Sequence, residues 1–387
     1  MEDNGVVCMY PWVHFAYTMQ GKLRPCCRFS TTDEHLHNTS IDDYENAFGW
    51  LRKRMLYGVE TEACKTCYTQ GNNSMRADAN IRFDLAGRDL NDDFIQLETI
   101  EISLDNLCNL ECKMCNSQFS SKLYKRDELL NTIDVRLNGK PKKVPKNRID
   151  EILALSIDWS KLRWIKILGG EPFMSPHFNK LLQKIVDDGR PMNTTLEIIT
   201  NATHKLTDPT IELLLKFKEL KVTASIDGAG KHNDYQRVGS NVKETIKQYA
   251  EYLDILPNIR LPHIHSTYTV LNLNYLVSDM HYWKQNHPGW GVSIALVNTA
   301  VASNLSPYHC PDYYYKWLND QLKTDRRFAL IKAEEALDLI AWKGIGYNEE
   351  RWNGMLTEIK VLDDFYNIKL EDHNKPFYDL LKKHNAL

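Results

Sequence analysis

The chain has 387 residues, which at about 150 residues per domain leaves room for two or three domains. Its residues are 43% hydrophobic and 26% charged, a composition that is typical of an ordinary globular protein and excludes a disordered or fibrous one. Lysine and arginine together number 48 against 51 acidic residues, so the formal charge is only −3. The chain therefore has no global positive field to attract nucleic acid or an anionic membrane.

The N-terminal segment, the apolar stretches and the cysteines indicate the cellular compartment in which we expect the protein. The N-terminal segment MEDNGVVCMY carries early acids and lacks the basic segment and apolar run of a signal peptide. No later stretch is apolar for long enough to span a bilayer. Nine cysteines, several at short spacings, favour metal or redox chemistry over a disulfide framework when there is no secretory signal. We therefore expect a protein of the reducing cytoplasm that binds no membrane.

The predicted elements fall into three regions, taken in chain order as residues 1–96, 97–300 and 301–387. The first region is cysteine-rich and irregular. From Thr99 onward, short runs rich in β-branched residues alternate with helix-like runs, as in successive βα units of a parallel sheet. The six predicted strands are TIEIS from Thr99, WIKIL from Trp164, LEIIT from Leu196, VTASI from Val222, HIHSTYTV from His263 and VSIALV from Val292.

Amphipathic segments between these strands predict the covering helices, because their apolar residues recur at steps of three and four. Examples are HFNKLLQKIVDDG, PTIELLLKFKEL and VKETIKQYAEYL. Six βα units are fewer than the eight of a full TIM barrel, so we predict an α/β fold with a partial, open (β/α)6 barrel and its functional face at the strand C-termini. The third region is aromatic and helix-like and predicts a mostly helical C-terminal extension.

One segment, from Leu137 to Arg148, interrupts the alternation with LNGKPKKVPKNR. Its glycine, its two prolines and its five basic residues predict an exposed excursion from the barrel. A charge run of this kind is more often a solvated loop than a nucleic-acid site. Nucleic-acid modification through Lys140–Arg148 therefore stays the lesser alternative, and we expect no nucleic-acid partner.

The most specific pattern is Cys108-Asn-Leu-Glu-Cys112-Lys-Met-Cys115, directly after the first predicted strand. Three thiolates at this spacing on one loop can bind three irons of a cubane cluster and leave the fourth iron open to a ligand. The alternative is that these cysteines are buried structural thiols or bind zinc.

A CxxxCxxC loop after the first strand of a partial βα barrel resembles the radical S-adenosylmethionine (SAM) superfamily. The resemblance continues at Gly169-Gly170-Glu171, which follows the second strand where the family has its GGE motif for the methionine amino group. Two residues without side chains permit close backbone approach, and Glu171 adds a negative acceptor for an ammonium. Alone, this tripeptide would be just a turn.

Two further strand ends match the superfamily in the expected order. Thr200-Asn201 resembles its TN element, and the resemblance assigns Ser225 and Asp227, after the fourth strand, to the cofactor's ribose. Arg237 lies in a stretch that resembles the one whose arginine meets the methionine carboxylate, and a guanidinium has suitable fork geometry. The alternatives are a capping turn for the strand-end residues and an exposed arginine at a helix start.

The N-terminal cysteines follow the order C, GxxxxC, CxxC, which resembles the Twitch element, a half-size SPASM domain that binds an auxiliary 4Fe-4S cluster. The resemblance implies Cys8, Cys26, Cys64 and Cys67 as its ligands, with Cys27 able to replace Cys26. Family members usually carry this element after the barrel, whereas here it comes first. A structural four-cysteine zinc site is the main competitor. Cys310 is interpreted as a packed thiol.

His263 and His265 share one face of the fifth strand because side chains alternate with a period of two. Either imidazole can take up a proton after hydrogen abstraction, so both are catalytic candidates, with satisfied structural histidines as the alternative. Asn272, just beyond the strand, is placed within reach of cofactor or substrate.

The resemblance implies an oxidoreductase-type enzyme that reductively cleaves SAM at a 4Fe-4S cluster to a 5′-deoxyadenosyl radical, which abstracts hydrogen from a substrate. It further implies a reductase partner such as flavodoxin or ferredoxin. An auxiliary cluster that accepts the substrate's electron favours oxidative modification or cross-linking of a peptide or small molecule. The alternative from another class is an iron-sulfur or zinc protein that transfers electrons or scaffolds a partner without catalysis.

Overall fold

The computed structural model describes residues 4–29, 48–91, 95–133, 148–297, 304–324 and 347–387. It has an α/β fold whose eight strands form a mostly parallel sheet. The strands are β1 (His14–Tyr17), β2 (Leu23–Arg24), β3 (Thr99–Ser103), β4 (Trp164–Leu168), β5 (Thr195–Thr200), β6 (Glu219–Ser225), β7 (His263–Tyr268) and β8 (Gly291–Leu296).

The sheet order is β2-β1-β3-β4-β5-β6-β7-β8. β1 pairs antiparallel with β2 and parallel with β3, through register partners such as His14 and Thr99. Buried and partly exposed residues alternate along β4, β5, β6 and β7, whereas every residue of β3 is buried. Because side chains of a strand point to opposite faces in turn, the alternation fixes which face of each strand packs into the core.

The described part of the chain also contains fifteen α-helices. They are α1 (Tyr10–Val13), α2 (Gly49–Leu56), α3 (Lys65–Gln70), α4 (Met75–Arg82), α5 (Tyr124–Thr132), α6 (Arg148–Leu153), α7 (Phe178–Asp188), α8 (Asp208–Leu214), α9 (Lys231–Gln236), α10 (Val242–Ile255), α11 (Leu276–Asn286), α12 (Asp312–Thr324), α13 (Glu349–Tyr366), α14 (Leu370–His373) and α15 (Lys375–Lys383).

Short 3-10 helices connect several of these elements. They are Glu62–Cys64, Gly71–Asn73, Leu85–Gly87, Ser121–Leu123, Trp159–Lys161, Pro172–Met174, Pro191–Asn193, Leu273–Tyr275 and Pro307–His309.

The chain divides into two compact units. The first comprises the described residues of Met1–Asp105, Val144–Ile198 and Thr207–Leu220, and it contains β1 to β4. The second comprises the described residues of Asn106–Lys143, Ile199–Leu206 and Lys221–Leu387, and it contains β7 and β8. β5 and β6 have residues in both units. In the second unit, Tyr235 and Tyr268 belong to a core that includes Tyr314, Trp352 and Phe377 from the C-terminal helices.

All six predicted strands are present, with ends shifted by up to three residues. The helix predicted for PTIELLLKFKEL is shorter, because α8 ends at Leu214 and Glu219 already begins β6. The N-terminal region is less irregular than predicted, since β1 and β2 extend the sheet. Residues 137–147 of the basic segment lie outside the described residues. Within the described residues, no helix combines the length and apolarity needed to cross a bilayer.

Candidate active site

The three cysteines of the CxxxCxxC loop come together in the second unit, just beyond the end of β3. Cys108 and Cys112 are buried and form an apolar cluster with Leu110, against which Met114 and the half-buried Cys115 pack. Burial raises the pKa of the Cys112 thiol, and the guanidinium of Arg237 opposes that rise. The loop thus gathers three thiols in a mostly apolar setting.

Main-chain and buried polar contacts fix the path of this loop. The fully buried Arg126 on α5 donates through Nη1 to the carbonyl of Cys112 at 2.9 Å and through Nη2 to that of Cys115 at 2.6 Å. Asp127 pairs with Arg126 and accepts from the Ser117 amide at 2.6 Å. These contacts hold the main chain in place at two of the three cysteines.

The donor set fits an iron-sulfur cluster better than a single metal ion. Within the described ranges, no three His, Cys, Asp or Glu side chains converge as the ligands of one ion. A cubane binds each thiolate through a different iron, so its sulfurs need not converge. The Cys108 sulfur also accepts from the Leu110 amide at 3.4 Å and from Asn201 Nδ2 at 3.8 Å. N–H groups that point at sulfur are the contacts that tune iron-sulfur sites.

Asn201, at the end of β5, braces the loop through a small polar network. Its Nδ2 donates to Asn109 Oδ1 at 2.9 Å, and its Oδ1 accepts from the Thr203 amide at 3.0 Å. Asn109 Nδ2 in turn donates to Thr203 Oγ1 at 2.7 Å. Asn201 therefore contacts both the cysteine loop and Thr203. Sequence reasoning missed Thr203, which belongs to no motif, and it assigned no role to Asn109, which lies between Cys108 and Cys112.

In the first unit, Gly169 and Gly170 follow β4 and contact the turn after β3. The Gly170 amide donates to the Asp105 carbonyl at 2.7 Å. Gly169 has φ +154°, and a Cβ there would lie 2.5 Å from the same carbonyl oxygen, so only glycine fits without a backbone shift. Glu171 is fully buried and its Oε1 accepts from the Phe173 amide at 3.1 Å, capping the 3-10 turn Pro172–Met174.

Asp227, just after β6, is buried, and its carboxylate accepts three hydrogen bonds. Its carboxylate accepts from Gln236 Nε2 at 2.7 Å, from Arg237 Nη2 at 2.8 Å and from the Thr267 amide at 2.9 Å. Arg237 Nε lies 2.7 Å from Oδ2 but out of line for a hydrogen bond. Within the described part of the chain, Nη2 is thus the one guanidinium nitrogen of Arg237 that donates. The hydroxyl of the half-buried Ser225 has no hydrogen-bond partner among the described residues.

His263 and His265 lie on one face of β7 and share a partner on β8. Ser293 Oγ is 2.9 Å from His263 Nε2 and 2.8 Å from His265 Nδ1. A hydroxyl has one proton to give, so at most one of the two imidazoles can receive it. Asn272 is buried, and its Nδ2 donates to the Asp227 carbonyl at 3.0 Å. Ser293 was not predicted, because only the strand register places it opposite His265.

The N-terminal cysteines lie in the first unit, around a small cavity. Four of them line it, namely Cys8, Cys26, Cys64 and Cys67, together with Tyr10, Arg28, Phe29, Met55, Ala63, Thr66, Tyr68, Met75 and Arg76. Cys27 is exposed and does not line the cavity; its Sγ is 4.0 Å from Met75 Sδ.

The electrostatics of this cavity disfavour free thiolates. Burial raises the pKa of Cys8 to about 12 and that of Cys64 to about 11, and repulsion from neighbouring cysteine thiolates adds to both. Burial likewise raises the pKa of Cys26 well above its usual range. Four thiolates that line one cavity need a bound cation to offset their charge. Cys310 lies elsewhere, buried in the core of the second unit.

Comparison with known families identifies part of the chain. Residues 102–275 match the family described as the radical SAM superfamily. This segment is similar to a radical SAM domain. The matched segment begins within β3 and includes the cysteine loop, Gly169–Glu171, Asn201, Asp227 and the two β7 histidines. The match supports an enzyme of the kind that uses a 4Fe-4S cluster and SAM.

Solved structures that this chain resembles include SuiB of Streptococcus suis bound to SAM, at 15% identity and a TM-score of 0.38 over 73% of this chain and 61% of SuiB. SuiB bound to its precursor peptide SuiA is 16% identical, with a TM-score of 0.38 over 80% of this chain and 68% of that one. Histidine-tagged anSMEcpe with bound AdoMet is 14% identical, with a TM-score of 0.40 over 75% and 79% of the two chains. This chain thus spans about three fifths of the first SuiB structure. No curated protein matches it significantly.

Proposed function

We propose that the protein is a radical SAM enzyme whose Cys108, Cys112 and Cys115 hold a 4Fe-4S cluster with one open iron. The observation that carries this function is the gathering of three thiols on one buried loop inside the segment that matches the radical SAM superfamily, with N–H donors aimed at Cys108. When bound, the cluster and SAM supply reductive cleavage to methionine and a 5′-deoxyadenosyl radical that abstracts hydrogen from a substrate.

The strand-end residues divide the work of holding SAM. Glu171 supplies the negative acceptor for the methionine ammonium, and Gly169 and Gly170 keep the β4 end clear of side chains. Arg237 binds the methionine carboxylate with the donors that Asp227 leaves available. Since the Asp227 carboxylate already accepts three hydrogen bonds, it acts by orienting Arg237, while the unpaired hydroxyl of Ser225 contacts the ribose.

The N-terminal cavity holds an auxiliary 4Fe-4S cluster on Cys8, Cys26, Cys64 and Cys67. Its support is that these four cysteines line one cavity, whereas Cys27 does not line it. Full ligation leaves no open iron, which suits electron transfer or structural support better than substrate binding. A structural zinc ion would use the same thiolates, so metal content separates the two.

The β7 face supplies the group that accepts the substrate's proton. His265 and His263 take this role, and the hydroxyl of Ser293 links the two rings so that a proton taken up by one can pass to the other. Loss of a proton and an electron from a substrate radical is a net oxidation, which fits oxidative modification or cross-linking of a peptide or small molecule. An external flavodoxin- or ferredoxin-type reductase supplies the electron that starts the reaction.

The test is release of 5′-deoxyadenosine from SAM by anaerobically reconstituted, dithionite-reduced protein without substrate. We expect slow release, because an iron left open by three thiolates can bind SAM without substrate. The matched control is Cys112→Ala, prepared in the same way. If the amount of 5′-deoxyadenosine never exceeds that of this control, the enzyme proposal is wrong. The alternative, an iron-sulfur or zinc scaffold protein, would then stand.

A further inference from the structure

A lysine lies inside the cysteine loop with its side chain wholly buried. Lys113 directly follows Cys112, and its side chain is 0% exposed. An ammonium loses its hydration when it is buried, and that cost is offset only by a partner in good geometry. The contacts of Lys113 must therefore offset the cost of burying its ammonium group.

Two of the partners of Lys113, Asp363 and Tyr235, contact each other as well as the lysine in the second unit. Lys113 Nζ is 2.9 Å from Asp363 Oδ1 and 3.3 Å from the centroid of the Tyr235 ring. The Tyr235 hydroxyl donates to the same Asp363 oxygen at 2.6 Å. Asp363 Oδ2 accepts from the Leu370 amide at 2.7 Å. The ammonium is thus neutralised by a carboxylate and covered by an aromatic face.

This group joins the cysteine loop to a distant part of the chain. Asp363 lies near the end of α13, 250 residues beyond Lys113. Tyr235 lies on α9, and the chain just after it is hydrogen-bonded to the loop: the Glu111 amide donates to the Val238 carbonyl at 2.9 Å, and the Lys113 amide donates to the Gln236 carbonyl at 2.8 Å. The part of the loop around its second cysteine is therefore fastened by both side chain and main chain.

We propose that Lys113, Asp363 and Tyr235 form a positioning clamp through which the C-terminal helix α13 holds the cysteine loop in its cluster-binding conformation. The inference rests on the proposed function of the three cysteines, and it assigns a role to a C-terminal helix outside the segment that matches the radical SAM superfamily. Arg126 fixes the carbonyls of Cys112 and Cys115 locally, whereas the clamp fixes the side chain between these two ligands from the far end of the sequence.

A purely stabilising role predicts something different from a positioning role. Replacing a buried ion pair by neutral side chains of similar volume is often neutral for stability, whereas removing one partner is strongly destabilising. The double variant Lys113→Met with Asp363→Asn removes both charges and keeps the volume. If the pair only stabilises the fold, this variant restores everything that the single variants lose; if it positions the loop, the fold returns but the cluster stays loosely held.

The experiment uses full-length, anaerobically reconstituted protein. The iron bound by the three cysteines is the iron content of a protein minus that of the triple variant Cys108→Ala, Cys112→Ala, Cys115→Ala. The release of this iron to a chelator is then followed over time. The EPR spectrum of the reduced cluster is recorded with and without SAM, and the circular-dichroism melt of the apoprotein reports the fold. The matched control removes an exposed ion pair in the same unit, Lys375→Met with Asp379→Asn, whose charges are 2.6 Å apart.

We expect the double variant to melt like the wild type but to bind triad iron about 10- to 100-fold more weakly, as is typical when contacts that orient metal ligands are lost. The control pair should change neither reading. Wild-type iron retention and an unchanged EPR response to SAM in the double variant would overturn the clamp. Should the double variant fail to fold, Tyr235→Phe decides: it keeps the ring over Lys113, and unaltered iron release would overturn the clamp equally. Absence of triad-dependent iron in the wild type would instead overturn the proposed function.

Discussion

The two cysteine sites of this chain are built in opposite ways. The proposed SAM-cleaving site takes three cysteines from eight consecutive residues, and buried contacts around that single loop hold it in place. The N-terminal site takes four cysteines from three separate segments, Cys8, Cys26 and the pair Cys64 and Cys67, around one cavity. A cluster with only three protein ligands has an open iron that can bind a reactant. A cluster with four protein ligands suits electron transfer or structural support.

The largest effect should come from removing the triad. Replacing Cys108, Cys112 and Cys115 together by Ala should abolish SAM cleavage, because the open iron is lost. The protein should stay brown with about four irons per chain, because a fully ligated N-terminal cubane does not use these thiols. Iron and zinc analysis together with the absorption spectrum check this. A colourless variant with one zinc would contradict the auxiliary cluster while sparing the enzyme.

The converse variant, Cys64→Ala with Cys67→Ala, should remove the N-terminal cluster and keep reductive cleavage of SAM. It should lose about four irons per chain and, if the cluster accepts the substrate's electron, all turnover of the true substrate. Iron content and 5′-deoxyadenosine release are measured on the same preparation. Complete loss of folding would point instead to structural support, because thiolate-metal bonds contribute to the stability of small irregular regions.

A smaller change tests which of two adjacent cysteines is a ligand. Cys26→Ser should weaken the N-terminal site, because Cys26 lines the cavity and serine is a poor ligand for iron in this setting. Cys27→Ser is the matched control and should retain the wild-type iron content, because Cys27 is exposed outside the cavity. Iron per chain after gel filtration measures both. The reverse ranking would exchange their roles.

The smallest expected effect concerns one contact to SAM. Glu171→Gln keeps an oxygen to accept from the Phe173 amide but removes the negative charge, so SAM affinity should fall by about 1.5 to 3 kcal/mol while iron content is unchanged. Glu171→Ala, which also removes the cap of the 3-10 turn, should lose at least as much. Titration calorimetry measures the SAM affinity of both variants. If Glu171→Gln binds SAM as tightly as the wild type does, the charge of Glu171 does not contribute to SAM binding.

The sequence was most informative where its signals are local. The strands from β3 onward could be predicted because each is a short β-branched run. The proximity of Cys108, Cys112 and Cys115 could be predicted because all three lie on one short loop. β1 could not, since four residues make too short a pattern and its partner β3 lies far along the chain. Likewise, no sequence pattern near Lys113 indicates that it pairs with Asp363. The position of Ser293 opposite His265 follows only from the strand register.

The sequence pattern was also silent about which polar groups are already used. Asp227 and Asn272 carry side chains suited to a ligand, yet their hydrogen bonds are to the protein itself. Conversely, the convergence of Cys26, rather than Cys27, on the N-terminal cavity depends on how the turn after β2 is folded. Tertiary contacts of this kind have no signature in residue order.

The pairing of β1 with β3 has a consequence for how the protein is made. His14 faces Thr99 in the register, and their side chains are 2.8 Å apart although 85 residues separate them. At a synthesis rate of about 5 to 20 residues per second, β1 waits roughly 4 to 17 s for its parallel partner to be translated. During that interval the strand edge of β1 is open, and pairing of such distant segments is slow because the closure of a long loop comes first. β1 is therefore synthesised well before the parallel strand with which it pairs.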